Sequence, residues 1–195
     1  MPASRTALEH RLDAATPDDT VRGVVFNAAF EVIEEYDGEE VARRCDPLGK
    51  GKRTPFLSYP VADYLQLAWT AVDELESAFG TADRVFFAIG HRALSNVFAS
   101  PVLGSTLKAI GGGTPRQMLA NVHPGYRATV SYGDRSVVWP AERHARITFR
   151  RDFLVPSFHC GVLTSVLETL GARNVRVTGR ETGHLEAVYD VVWDD

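Results

Sequence analysis

The stretch TVSYGDRSVVWPAERHARITFRRDFLVPSFHCGVLTSVLETLGARNVRVTGRETGHLEAVYDVVW, Thr129–Trp193, decides the fold. Apolar residues alternate in four of its segments, Ser136–Trp139, Ile147–Phe153, Val175–Arg180 and Leu185–Trp193, a period of two that predicts strands. Ser157–Leu170, between the two pairs, has helical spacing. In the last segment Leu185, Ala187, Tyr189, Val191 and Trp193 share one face, with Glu186, Asp190 and Asp194 on the other. In the second, Ile147, Phe149 and Phe153 oppose Arg146, Thr148 and Arg150. One-sided alternation of this kind fits an antiparallel sheet with one solvated face. The reading is ββαββ: a four-stranded antiparallel sheet with a crossing helix, over residues 127–193.

Upstream the period is helical. Phe26, Phe30 and Ile33 recur at i, i+4 and i+7 until Asp37-Gly38 interrupts, and a short second helix runs to Arg44. Asp46–Pro60 is rich in Pro and Gly and reads as a loop. Val61, Leu65, Ala68, Val72 and Leu75 form an amphipathic face ending near Phe79, before Gly80-Thr81. The next helix carries Phe86, Phe87, Leu94, Val97 and Phe98, is apolar on more than one side, and is expected to be central. Leu103, Leu107 and Ile110 continue to Gly111-Gly112-Gly113, and Thr114-Pro115 caps a short helix reaching Val122. The fold class is therefore α+β, with a helical half, 21–122, packed on the sheet. Residues 1–20 read as a loose leader or short helix, and 21–195 as one ligand-binding-type domain. The inward set is Phe26, Phe30, Ile33, Leu65, Ala68, Val72, Leu163, Leu167, Tyr189 and Val191.

Composition narrows the function. The 195 residues are 45% hydrophobic and 24% charged, as in ordinary globular proteins, and no apolar run is long enough to span a bilayer. A polar first twenty residues excludes a secretory signal, and Cys45 and Cys160 read as reduced thiols, so the expected location is cytoplasmic. Net charge is −4, yet residues 116–180 carry ten Arg, no Lys and four acids. That local excess is too weak for a nucleic-acid partner but suits an anionic ligand or an acidic protein partner.

Val21-Arg22-Gly23-Val24-Val25-Phe26-Asn27 leading to Tyr36-Asp37-Gly38-Glu39-Glu40 resembles the opening of haem–nitric-oxide/oxygen-binding sensor domains. Phe158-His159-Cys160-Gly161-Val162-Leu163 with Gly171-Ala172-Arg173-Asn174-Val175 resembles the 4-vinyl-reductase-type small-molecule-binding domain. Both belong, with the TRAPP vesicle-tethering subunits, to one fold superfamily. More closely, Tyr59-Pro60, Tyr126–Asp134 and Phe149–Phe153 resemble a paralogous family of uncharacterised myxobacterial proteins. The resemblance implies a fold and a habit of binding between helices and sheet, and no reaction.

The departures matter as much. Haem sensors grip the porphyrin with a helix-borne His and a Tyr-x-Ser-x-Arg motif; here that stretch reads Thr148-Phe149-Arg150-Arg151-Asp152, without the three residues. His123 is the one candidate iron ligand, and Pro124-Gly125 after it is expected to end any helix. No haem, other cofactor or metal is expected. The cysteines of 4-vinyl-reductase-type domains are replaced by Gly179 and Ala187. Cys45 falls loosely where some TRAPP subunits carry an acylated Cys, and an ordinary free thiol is the simpler reading. His159 and Cys160 are adjacent, and consecutive helical side chains diverge by about 100°, so they do not make a nucleophile–base couple.

The leading expectation is a non-enzymatic sensor or regulatory module taking a small, largely apolar ligand in a helix–sheet cleft. Phe98, Tyr126, Phe153 and Phe158 are expected to line it, with His159 beside Phe158 as a titratable donor near the mouth. Arg146, Arg150, Arg176 and Arg180 share the polar parity of two strands. They either pair with Glu186 and Asp190 or form a docking face for an acidic partner. A ligand-free adaptor, homodimeric or working through that face, is the alternative; an enzyme using Cys160 or a His comes third.

Overall fold

The computed structural model describes residues 5–46 and 48–194; Met1–Ser4 of the expected leader, Pro47 in the expected loop and Asp195 lie outside it. All four strands downstream of Arg127 are present: β3 (Asp134–Ala141), β4 (His144–Arg150), β5 (Arg173–Gly183) and β6 (Glu186–Asp194). They form one antiparallel sheet in the order β3-β4-β6-β5. Register puts Ile147 opposite Tyr189 and Phe149 opposite Ala187, so the inner face is a continuous apolar layer. The crossing helix α8 (Pro156–Thr169) lies on that face and opens on Pro156, whose missing N–H costs nothing there.

Upstream, α1 (Arg5–Ala14) and a short strand β1 (Thr20–Arg22) lead into α2 (Gly23–Cys45), which is broken at Gly38 by a left-handed φ of 85°. β1 pairs with β2 (Ser58–Pro60), so the segment expected to be all loop ends in a strand. Then come α3 (Val61–Phe79), α4 (Ala82–Ala99), α5 (Pro101–Gly111), α6 (Pro115–Ala120) and α7 (Val122–Arg127). Thr81, Ser100 and Thr114 cap α4, α5 and α6 by accepting backbone N–H groups, satisfying donors each helix start leaves open. Every residue of the expected inward set is buried.

α4 is the centre, touching α2, α3, α5 and α8. It meets α8 backbone to backbone: a Cβ on Gly90 would overlap the Phe158 carbonyl, and one on Gly161 the Phe87 carbonyl. Two glycines at that crossing are what permit the approach.

Three local expectations are corrected. The leading segment is not loose where described: in α1, Arg11 is buried, its Nε donates to the Phe153 carbonyl at 3.1 Å, and it pairs with Glu181 at 2.6 Å. β4 ends at Arg150, short of Phe153, because Arg151 adopts a φ of 51° and turns the chain out of the sheet. α7 runs through Pro124-Gly125, since Pro124 sits in its first turn, where no N–H is needed.

Candidate functional site

Where α4, α5, α7 and α8 converge, an apolar cleft of about 70 Å³ remains. Leu94 and Val97, one turn apart on α4, face Val162 and Val166, one turn apart on α8. Leu107, Met118 and Val122 close the other side. A smaller space of about 40 Å³ adjoins it, sharing Leu94, Val97, Tyr126, Thr129 and Val162 and reaching Phe158.

Tyr126 joins this cleft to a buried polar cluster. Its ring lines both spaces and stands edge-on to Phe149 at 4.9 Å between centroids. Its hydroxyl is 3.0 Å from Nδ1 of His159, whose Nε2 is 2.8 Å from Oδ1 of Asp152. Asp152 also accepts the Leu154 N–H and the Arg135 guanidinium. Arg135 lies over the rings of Tyr126 and Phe149, with its Cζ 4.9 and 5.1 Å from their centroids.

Burial acts to raise the Asp152 carboxyl, but the charges of His159 and Arg135 and the hydrogen bonds outweigh it and hold the group well below the usual carboxylate range. Burial, with Asp152 nearby, pushes the Tyr126 phenol well above its ordinary range, so the hydroxyl keeps its proton. With Asp152 ionised, His159 donates to it from Nε2, and the Tyr126 hydroxyl completes the chain at Nδ1. The hydroxyls of Tyr64, Tyr132 and Tyr189 are also buried, and each lacks a hydrogen-bond partner among the described residues.

The expected ring-lined pocket is therefore only partly assembled. Tyr126 lines the cleft and Phe158 the smaller space beside it, whereas Phe98 and Phe153 line neither. Phe98 is half-buried near the end of α4, and Phe153 is spent in the core, edge-on to Tyr132. Nor is His159 near a mouth: it is buried, and Asp152 and Tyr126 occupy both nitrogens. The Tyr126 hydroxyl points at His159 instead of into the space. Asp152 and Arg135 escaped the sequence reading. Arg135 has the inward parity of Val137, a signal that an Arg beginning a strand obscures.

On the outer sheet face Arg146 pairs with Asp190 at 2.9 Å, and Arg150 approaches Glu186 at 3.9 Å. Arg176 and Arg180 are exposed and have no carboxylate partner among the described residues. Cys160 is half-buried and Cys45 buried, both thiols free, and burial pushes each up to about 11. His123 accepts the Arg135 backbone N–H at its Nδ1, and no His lines the cleft. Among the described residues no group of three His, Cys, Asp or Glu could hold a metal, and no helix is long and apolar enough to cross a membrane.

Acid should weaken the molecule in a defined window. Asp152, Asp19 and Asp46 are all held below their ordinary value despite burial, by His159, Arg151 and Arg53 respectively among other partners. A lowered folded pKa stabilises above the unfolded value and is lost as pH falls through the folded one. Stability to urea is thus expected to be level above about pH 5 and to fall steadily below about pH 4. A loss already complete at pH 5 would contradict these pairings.

The chain belongs to the family described as Protein of unknown function (DUF2378), whose family model matches residues 14–194. No curated protein matches it at a significant level. Solved structures similar in fold include the Fe(II) unliganded H-NOX protein from K. algicida, at 13% identity and a TM-score of 0.71, covering 89% of this chain and 97% of that one. The Fe(II)NO H-NOX protein from S. oneidensis is 9% identical with a TM-score of 0.69, covering 89% and 99%. An oxygen-binding H-NOX domain related to soluble guanylate cyclases, in its oxygen complex, is 8% identical with a TM-score of 0.64, covering 89% and 95%. At these identities the likeness is one of fold.

Proposed function

We propose that this member of the DUF2378 family is a non-enzymatic sensor or regulatory module whose domain, residues 21–195, takes a small, largely apolar molecule into the cleft beside Tyr126. The carrying observation is the apolar space of about 70 Å³ walled by α4 and α8, with the ring of Tyr126 as its link to His159 and Asp152. An engineered apolar cavity of roughly 150 Å³ admits benzene or xenon. The space here suits something smaller, such as a diatomic gas or a short alkyl end. Kinship with 4-vinyl-reductase-type and TRAPP-subunit domains, and with myxobacterial paralogues, belongs to the same proposal and rests on the segments quoted at the outset.

Haem is outside this reading. Drug-sized ligands occupy roughly 300–1,000 Å³, several times the space present. The residues lining it offer no imidazole, and His123 is engaged with the Arg135 backbone. An enzyme built on Cys160 is disfavoured by the raised thiol and by His159 turning to Asp152.

Mass spectrometry of protein released under denaturing conditions tests the proposal. A stoichiometric small compound is expected, reduced about tenfold in Val162→Phe, which fills the cleft while circular dichroism stays unchanged. The same preparation should show no Soret band after desalting; a band that is lost in His123→Ala would overturn the haem-free reading. If wild type and Val162→Phe both carry nothing, the adaptor reading takes over. One observation favours that second reading: Arg176 and Arg180 remain unpaired on the outer face, where an acidic partner or a second copy would meet them.

A further inference from the structure

We propose that the free edge of β5 is a docking site for an extended, acidic segment of another protein, which adds to the four-stranded sheet as one more strand. The site stands whether or not the cleft beside Tyr126 takes a guest, because no residue of β5 lines either apolar space.

The two edges of the sheet differ. β3 contains Pro140, its register with β4 shifts between Val138 and Ala141, and α7 packs against it. Proline, a bulge and a covering helix are devices that keep an edge from pairing. β5 holds no proline, and its pairs with β6 run unbroken from Arg176 opposite Val192 to Glu181 opposite Ala187. An antiparallel strand turns the N–H and C=O of alternate residues away from its partner. Among the described residues no other segment's backbone bonds to those of β5.

Charge decides the occupant. Arg176 and Arg180 stand opposite Val192 and Val188, so both face outward with Thr178 between them, and neither has a carboxylate partner among the described residues. A strand laid along the edge sets its own outward residues across from these two, where carboxylates are the matching groups. A second copy of β5 would bring two more guanidinium groups there, with no acid among Arg176, Thr178 and Arg180 to neutralise them. On the inward side Val175, Val177 and Gly179 are half-buried. Beside Gly179 opens a groove of about 540 Å³ lined in part by Phe87 and Pro156, which suits apolar residues at the inward positions. The partner is therefore a strand in which acidic and apolar residues alternate.

The probe is an end-blocked, fluorescently labelled peptide in which glutamate and valine alternate, followed by anisotropy and by amide exchange of the protein. Saturable one-to-one binding is expected, with exchange slowed at alternate amides of β5. Arg176→Glu combined with Arg180→Glu should weaken binding about tenfold. The same variant should instead bind the peptide with lysine in place of glutamate, which also shows that it is folded. N-methylation of one alternate set of peptide nitrogens should abolish binding and of the other set spare it, as pairing through one edge requires. Val162→Phe should leave binding unchanged, so that failure of the cleft and failure of this site are separate results. No saturable binding, equal effects of the two methylation sets, or undiminished binding by the charge-reversed variant would each overturn the proposal. So would protection of the same amides without peptide in a protein that sediments as a dimer, which would give the edge to a second copy.

Discussion

Asp152→Ala is expected to cost about 3–5 kcal/mol of stability, because it leaves the Arg135 guanidinium buried without its counter-charge. The loss should exceed that of Arg146→Ala, whose pair with Asp190 is half-exposed and worth about 0–1 kcal/mol. Urea titration of both variants measures the difference. The double replacement Arg135→Met with Asp152→Leu should recover more than half of the loss, since removing both charges also removes the cost of burying them. Recovery stays incomplete because His159 then loses its Nε2 acceptor. Equal effects of Asp152→Ala and Arg146→Ala would mean that the buried cluster is open to water.

Phe158→Ala should cost about 3–5 kcal/mol, the usual loss for a buried Phe. Its ring packs edge-on to Tyr64, with centroids 6.2 Å apart, and against His159 at 5.4 Å, so the vacated volume has stiff neighbours. Phe98→Ala, at a half-buried position, should cost clearly less. Chemical denaturation ranks the two. Because Phe158 also borders the smaller apolar space, its truncation should enlarge that space toward the size that accepts xenon. A loss below about 1 kcal/mol would mean that Phe158 contributes little packing beyond lining the space.

The sheet was legible because its period-two alternation runs through four segments with a helix-length interval between pairs. Only its edges shifted: Phe153 keeps the inward direction of Phe149, but through the turn at Arg151 and not by strand parity. The pairing of β1 with β2 was not legible, since three-residue strands carry no periodicity. The candidate site was half legible. Tyr126 and Phe158 were found as aromatic residues near the helix–sheet boundary. The use of Phe98 and Phe153 elsewhere depends on helix rotation and a positive φ, which spacing does not encode. Arg135 and Asp152 lie 17 positions apart, and only the β3–β4 register brings them together.

The glycine crossing of α4 and α8 determines which way the cleft can yield. With Gly90 seated against the Phe158 backbone and Gly161 against that of Phe87, these two helices cannot slide past each other without collision, and they act as a fixed jaw carrying Leu94, Val97, Val162 and Val166. The opposite jaw, with Leu107, Met118 and Val122, is built from α5 and two six-residue helices. Helices that short have little cohesion of their own. Under the proposed function, admission of a guest would be a one-sided motion: the α5–α7 segment would swing outward against a stationary anvil, and Tyr126, at the end of α7, would travel with it. Its hydroxyl is the tether that such a swing must stretch or release.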